Sequence, residues 1–222
     1  MIRALIFDFD GLILDTESPR FQAWCEIYEH FNLKFDLASY AKTLGSNNEH
    51  FNPLTDLAVK VGSMFETQYW KKYQSSREME LLINEPLMPG VADYFAQAKK
   101  LGLNMAIASS SDRPWVISHL TRFKLLDYFL VVETMEDVVK VKPEPDLYLK
   151  ALCDLQLEPQ EAIVFEDAPH GIASAKKAGL ICVAVPNPVS AQLDLSQADL
   201  VMHSFQEFSL RELLVKVSSF SI

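Results

Sequence analysis

The sequence predicts an α/β fold: a doubly wound parallel sheet, interrupted early by a helical insert. Three observations carry this. Short apolar runs recur at helix-length intervals. Most are continuous, not alternating, as strands covered on both faces are. The segments between them carry helix start and stop residues, while the interval 17–84 shows helical spacing and no convincing strand.

The expected strands are Ala4–Phe7, Leu103–Ala108, Phe129–Val132, Ala162–Phe165 and Leu180–Val185, with a weaker run at Ala198–Met202. Pro89-Gly90 opens a helix whose face is Val91, Tyr94, Phe95, Ala98 and Leu101, and Gly102 stops it. Pro114 suits a first helical position before Trp115, Ile117, Leu120 and Phe123, and Pro145 does the same before Tyr148, Leu149, Leu152 and Leu155. Gly179 ends a further helix directly before the next strand. Within the insert, Phe21, Trp24, Cys25, Tyr28 and Phe31 share one helical face. Leu54, Leu57, Ala58 and Val61 give a second helix, and Phe65, Tyr69, Trp70 and Tyr73 a third, with these aromatics expected in the insert's core. Leu14–Ser18 and Ile83–Gly90 are the expected hinges.

Composition narrows the partners. The 222 residues carry a formal net charge of −10, with 49% hydrophobic and 23% charged residues. That is ordinary globular usage. The acidic balance argues against nucleic acid or an anionic membrane as main partner, while one metal ion or a few local cations still permit a small anionic substrate. Cys25, Cys153 and Cys182 form no C-x-x-C pair and read as thiols in a reducing compartment. No run approaches a membrane span, and an aspartate already at the eighth residue does not suit a signal peptide. A cytoplasmic monomer is the expectation.

Ligands of parallel α/β sheets bind beyond the carboxyl ends of the strands. The first strand ends at Asp8 and Asp10, the second at Ser109-Ser110-Ser111, and the fourth at Glu166-Asp167; Lys142 precedes Pro143 between the third and fourth. Positions i and i+2 of extended chain face the same way, so Asp8 and Asp10 point together. Several carboxylates in one cleft stay ionised only beside positive charge. A hard divalent cation such as Mg²⁺, shared with a substrate phosphate, fits that need. The hydroxyls and amides from Ser109 to Arg113, at the start of a helix, make an anion site, and Lys142 adds a point charge. Metal, anion cradle and a spare carboxylate are the equipment of phosphoryl transfer, in which one carboxylate acts as nucleophile and a second as acid and base.

On Asp8-x-Asp10-Gly11 with Asp15-Thr16-Glu17, Ser109, Lys142-Pro143, and Glu166-Asp167 with Gly171-Ile172, the chain resembles the haloacid dehalogenase superfamily, in its branch of β-phosphoglucomutase-like phosphatases. The match runs over essentially the whole length. It implies a Rossmann-like core, residues 1–16 and 85–222, with a four-helix cap, residues 17–84. It implies a Mg²⁺-dependent phosphatase acting on small phosphorylated metabolites, sugar phosphates first among them, through an aspartyl-phosphate. By the resemblance Asp8 is nucleophile and metal ligand, and Asp10 is general acid/base and lends its carbonyl to the metal. Ser109 and Lys142 hold the transferring group, and Asp167 with Glu166 completes the metal shell. Dehalogenases of the superfamily lack the second aspartate that Asp10 supplies.

Two departures favour a hydrolase over a phosphosugar mutase. Similar mutases have histidine at the position of Arg20, and an arginine in the cap loop matching 44–50, where this chain has none. Arg113 stands where they have asparagine and offers a cation of its own; Ala168 replaces a frequent serine. A phosphosugar mutase is the alternative enzyme, and a phosphorylatable receiver-like module the alternative outside catalysis. Substrate-binding candidates are Thr16, Arg20, Ser110, Ser111, Arg113, Asn47 and His50, with Asn48 beside them. Thr16 reads equally as a turn residue, Arg20 as a surface ion pair, Asn47 and His50 as loop filler, and Glu166 as an ion-pair partner. His170 reads as a loop histidine in contact with solvent.

Overall fold

Six parallel strands form one sheet in the order β3-β2-β1-β4-β5-β6. They are β1 (Ala4–Phe7), β2 (Asn104–Ala108), β3 (Val131–Glu133), β4 (Ala162–Glu166), β5 (Ile181–Ala184) and β6 (Leu200–Val201). The computed structural model describes residues 1–41, 44 and 51–218. Every residue of β1 and β4 is buried, which is why their sequences run continuously apolar. β3 lies two residues later than its apolar run, because Leu126–Tyr128 form a 3₁₀ turn first. β6 keeps only two residues of its run.

The two faces of the sheet differ. Leu5, Phe7, Ile107, Ile163 and Phe165 point to one side and pack on α5 (Val91–Lys100), α6 (Arg113–Arg122) and α9 (Leu210–Ser218). This side is aromatic: Phe7 stacks on Phe165 at 4.9 Å and meets Phe95 edge-on at 5.1 Å. Ala4, Ile6, Ala106, Ala108, Val164 and Ala184 face the other side and receive α7 (Asp146–Leu155) and α8 (Pro169–Lys177). Small strand residues there let these two helices come close. The alternation of the two sets along each strand is the period of two that extended chain imposes.

Between β1 and β2 lie α1 (Glu17–His30), α2 (Leu37–Ala41), α3 (Pro53–Val61) and α4 (Thr67–Leu82). Their own core holds Trp24, Ile27, Tyr28, Phe35, Tyr40, Leu57, Phe65 and Trp70. Asn52 caps α3 by accepting from the amides of Leu54 and Thr55. The aromatic stripe expected on the third insert helix is corrected in part: Tyr69 and Tyr73 are exposed, at 57% and 37%. α4 instead buries Trp70, Gln74, Glu78 and Leu82, because its inner face meets polar groups of α1. The two chain crossings between insert and sheet run side by side. Leu14 bridges Leu87, and the Met88 amide donates to the Ile13 carbonyl at 2.9 Å. Among the described residues, no helix is long and apolar enough to cross a membrane.

Candidate active site

The strand order reverses at β1, between β2 and β4, and the candidate groups converge at that switch point. Phe7 pairs with Phe165, so Asp8 leaves β1 level with Glu166 at the end of β4; the Asp8 amide donates to the Phe165 carbonyl at 3.0 Å. Asp8, Ser109, Lys142, Glu166 and Asp167 are all buried. Together with Asp10, Ser110 and Ser111 they line one cavity of about 850 Å³, roofed by Arg20, Trp24, Tyr40 and Gln74 of the insert.

Lys142 ties the acids together. Its ammonium donates to Asp8 Oδ1 at 2.5 Å and to Glu166 Oε1 at 2.6 Å. The Tyr148 hydroxyl, from the first turn of α7, donates to the same Glu166 oxygen. Burial alone would lower the Lys142 pKa, yet Asp8 and Glu166 hold it above its ordinary value. Burial pushes Asp8 up to about 7, against the pull of Lys142 and with the push of Glu166 and Asp10. Burial likewise drives Asp167 well above the carboxylate range, helped by Asp8 and Glu166.

Carboxylate oxygens of Asp8, Glu166 and Asp167 lie within 4.8 Å of one another. One ammonium does not serve three buried acids equally; burial first, and then the push of the neighbouring acids, raises Asp8 and Asp167. An all-oxygen donor set of this kind fits a hard divalent cation. Its surroundings are shaped to admit it. Asn187, just beyond β5, donates to Asp167 Oδ2 at 2.7 Å and to the Gly11 carbonyl at 3.2 Å. Gly11 has φ +75°, and a Cβ there would stand 2.5 Å from both the Asp167 carboxylate and the Asn187 amide. At Gly171 a Cβ would fall 1.9 Å from the Glu166 carboxyl. Gly171→Ala is therefore expected to push Glu166 aside and weaken Mg²⁺ roughly 10–100-fold. A Mg²⁺ titration of activity checks this, and an unchanged midpoint would mean Glu166 does not serve the metal.

The same acids set a pH dependence. A carboxyl whose folded pKa lies above its unfolded value stabilises the fold at low pH, and that contribution is lost as pH rises through the folded value. For Asp8 the window runs from its ordinary 3.8 to about 7. A cation bound there would take over the role of the proton, and its stabilisation should then grow with pH. We expect Mg²⁺ at roughly a hundredfold excess over Kd to raise Tm by about 5–10 °C near pH 8, and by much less near pH 5.5. Thermal melts with Mg²⁺ and with EDTA at both values check it; an equal shift at both would break the linkage.

Asp10 is held on both oxygens. Ser111 Oγ donates to Oδ2 at 2.6 Å and Trp115 Nε1 to Oδ1 at 2.8 Å. Ser109 Oγ accepts from the Ser111 amide at 3.1 Å, which fixes the turn into α6.

The substrate-binding candidates fare unevenly. Arg20 reaches the cavity, but Glu78 Oε1 at 2.8 Å and Glu17 Oε1 at 3.3 Å take its guanidinium. Tyr40 donates to Glu17 at 2.7 Å, and Gln74 to Glu78 at 2.6 Å. Ser110 and Ser111 line the cavity; Arg113 turns away to Asp137 and the Val132 carbonyl. Thr16 is fully buried outside the cavity wall, and its hydroxyl has no hydrogen bond among the described residues. Asn47, Asn48 and His50 lie outside the described residues. His170 sits in the first turn of α8 on the cavity wall. Sequence reasoning passed over Tyr148, Asn187, Glu17, Gln74 and Glu78. Two of them carried a signal: Glu17 stands in the Asp15-Thr16-Glu17 motif, and Asn187 lies just past a strand's carboxyl end.

Residues 5–185 match the family model of the haloacid dehalogenase-like hydrolases. The chain is 39% identical over 219 residues, 99% of each chain, to a Bacillus subtilis protein named "Putative phosphatase YhcW". It is 31% identical to β-phosphoglucomutase of the same organism, over 83% of each chain. The crystal structure of CbbY from Rhodobacter sphaeroides in complex with phosphate superposes with a TM-score of 0.74 at 27% identity, covering 96% of this chain and 99% of that one. The matched model, the whole-length relatives and the buried acids at the carboxyl ends of β1 and β4 agree: the chain belongs to the haloacid dehalogenase-like hydrolases.

Proposed function

We propose that this hydrolase is a Mg²⁺-dependent phosphatase of small phosphate monoesters, sugar phosphates foremost, working through an aspartyl-phosphate on Asp8. The observation that carries the reading is the pair of aspartates in one cavity, Asp8 bonded to Lys142 and Asp10 held separately by Ser111 and Trp115. Two carboxylates in such different surroundings suit two roles.

An oxygen of Asp8 attacks phosphorus in line, the bond from phosphorus to the leaving oxygen breaks, and Asp10 gives that oxygen its proton. Lys142 and the Ser109 hydroxyl receive the charge of the phosphoryl oxygens. Asp8, Glu166 and Asp167, with the Asp10 carbonyl, would hold a divalent cation, which would supply further charge compensation there. Asp10 then takes a proton from water as that water attacks phosphorus, the bond to Asp8 breaks, and phosphate leaves.

Hydrolysis is favoured over transfer within a sugar by the state of Arg20, whose charge Glu17 and Glu78 already occupy. A mutase needs free cations on the cap to hold a bisphosphate; of the two insert cations on the cavity wall Arg20 is taken, and Lys71 of α4 has no ion pair among the described residues.

The test is phosphate release from a panel of sugar phosphates and other monoesters, with and without Mg²⁺. Asp10→Asn should lower kcat/KM for alkyl esters by roughly 10²–10⁴-fold. It should leave kcat/KM for p-nitrophenyl phosphate, whose leaving group needs no proton, far less changed. Isomerised sugar phosphate without free phosphate would overturn the hydrolase reading.

A further inference from the structure

We propose that Trp115 is a positioning residue for the Asp10 carboxylate, a part of the machinery and not only of the core. The inference rests on the reading of Asp10 as acid and base given above. An indole nitrogen is a donor only. Here it is spent on a carboxylate oxygen, 2.8 Å from Asp10 Oδ1, while Ser111 Oγ holds Oδ2 at 2.6 Å. With both oxygens taken by donors of one short segment, the carboxylate has one defined plane in the cavity.

Trp115 is itself held at three points, two on its backbone and one on its ring. Its own backbone amide donates to Asp112 Oδ1 at 2.8 Å, which caps α6. Its carbonyl accepts from Ser118 Oγ at 2.7 Å. One turn on, the His119 ring stands edge-on to the indole at 4.5 Å, and that imidazole lies 6.0 Å from Phe9. Phe9 is buried and sits between Asp8 and Asp10 in the chain. The stack Phe9–His119–Trp115 thus ties α6 to the very backbone that bears both aspartates. His119 is buried, and neither ring nitrogen has a hydrogen-bond partner among the described residues. It serves as a packing plate behind the indole.

Positioning matters because a general acid must lie within hydrogen-bond reach of the leaving oxygen. A hydrogen bond to a charged group is worth enough to change the rate roughly 10–100-fold. The test is kcat/KM for two esters, which reports steps up to departure of the leaving group. Trp115→Phe keeps a ring against His119 and removes the donor. It should lower kcat/KM for an alkyl phosphate by roughly 10–100-fold, and that for p-nitrophenyl phosphate by less than about threefold. In the Asp10→Asn background, Trp115→Phe should add no selective loss. Ser111→Ala, which removes the other donor, should show the same selectivity and serves if Trp115→Phe fails to fold. Equal falls for both esters, or none, with Asp10→Asn still selective, would overturn the role of Trp115 and leave the acid assignment standing. An unselective Asp10→Asn would overturn both.

Discussion

Asp8→Asn is expected to abolish phosphate release, by at least about four orders of magnitude or roughly 5.5 kcal/mol of barrier. The argument separates chemistry from folding. The amide has nearly the shape of the carboxyl, and Lys142 keeps its bond to Glu166. Removing one of three clustered acids lowers the charge that burial opposes, so the variant should fold as well as the parent at neutral pH, or better. What is lost is the anionic oxygen that attacks phosphorus. Release assays set beside thermal melts decide the matter. Activity within about tenfold of the parent would mean that Asp8 is not the nucleophile.

Lys142→Met carries the largest expected effect on stability. Two buried carboxylates, Asp8 and Glu166, share that ammonium. Removing one partner of a buried ion pair costs about 3–5 kcal/mol, because the remaining charge stays desolvated. For a chain of this size that is roughly 10 °C in Tm. The loss should shrink in Mg²⁺, which compensates the same acids, and at low pH, where Asp8 takes up a proton. Denaturant titrations in EDTA near neutral pH are the check. A change below about 1 kcal/mol would mean that the acids reach neutrality without Lys142. Turnover should fall steeply even where the fold is rescued by Mg²⁺, since phosphoryl charge would lose its fixed cation.

The lines of the fold that the sequence made legible are those where local and global requirements coincide. β1, β2, β4 and β5 were visible because both their faces are covered over most of their length, with the exposed Asn104 at the start of β2 the exception, which leaves an almost continuous apolar run. Strand ends then located Asp8, Ser109, Glu166 and Asp167 by topology alone. What stayed hidden depends on contacts across the sheet. Tyr148 and Trp115 look like ordinary members of apolar helix faces, yet each aims its one polar atom at an acid from another segment. Tyr69 and Tyr73 misled in the opposite direction, because α4 turns Gln74 and Glu78 inward to meet Arg20. α9 was passed over although Ser209 and Glu212 bond reciprocally as a capping box, an S-x-x-E pattern readable in the chain. Arg113 was assigned to the anion site from its place at a helix start, and Asp137 claims it instead.

The unequal faces of the sheet divide the molecule's capacity for change. On the aromatic side, Phe95 and Phe205 pack against Phe7 and Phe165, the chain neighbours of Asp8 and Glu166, so it is the outer pair of rings where swaps that conserve volume adjust stability most freely. On the alanine side there is no such slack. Ala106, Ala108 and Ala184 set how near α7 and α8 come, and those helices carry Tyr148 and Gly171 up to Glu166. A lineage can therefore drift in thermal tolerance through α5 and α9 while its chemistry is held still by α6, α7 and α8. Thermostabilised variants recovered from random libraries should gather on the α5 and α9 side.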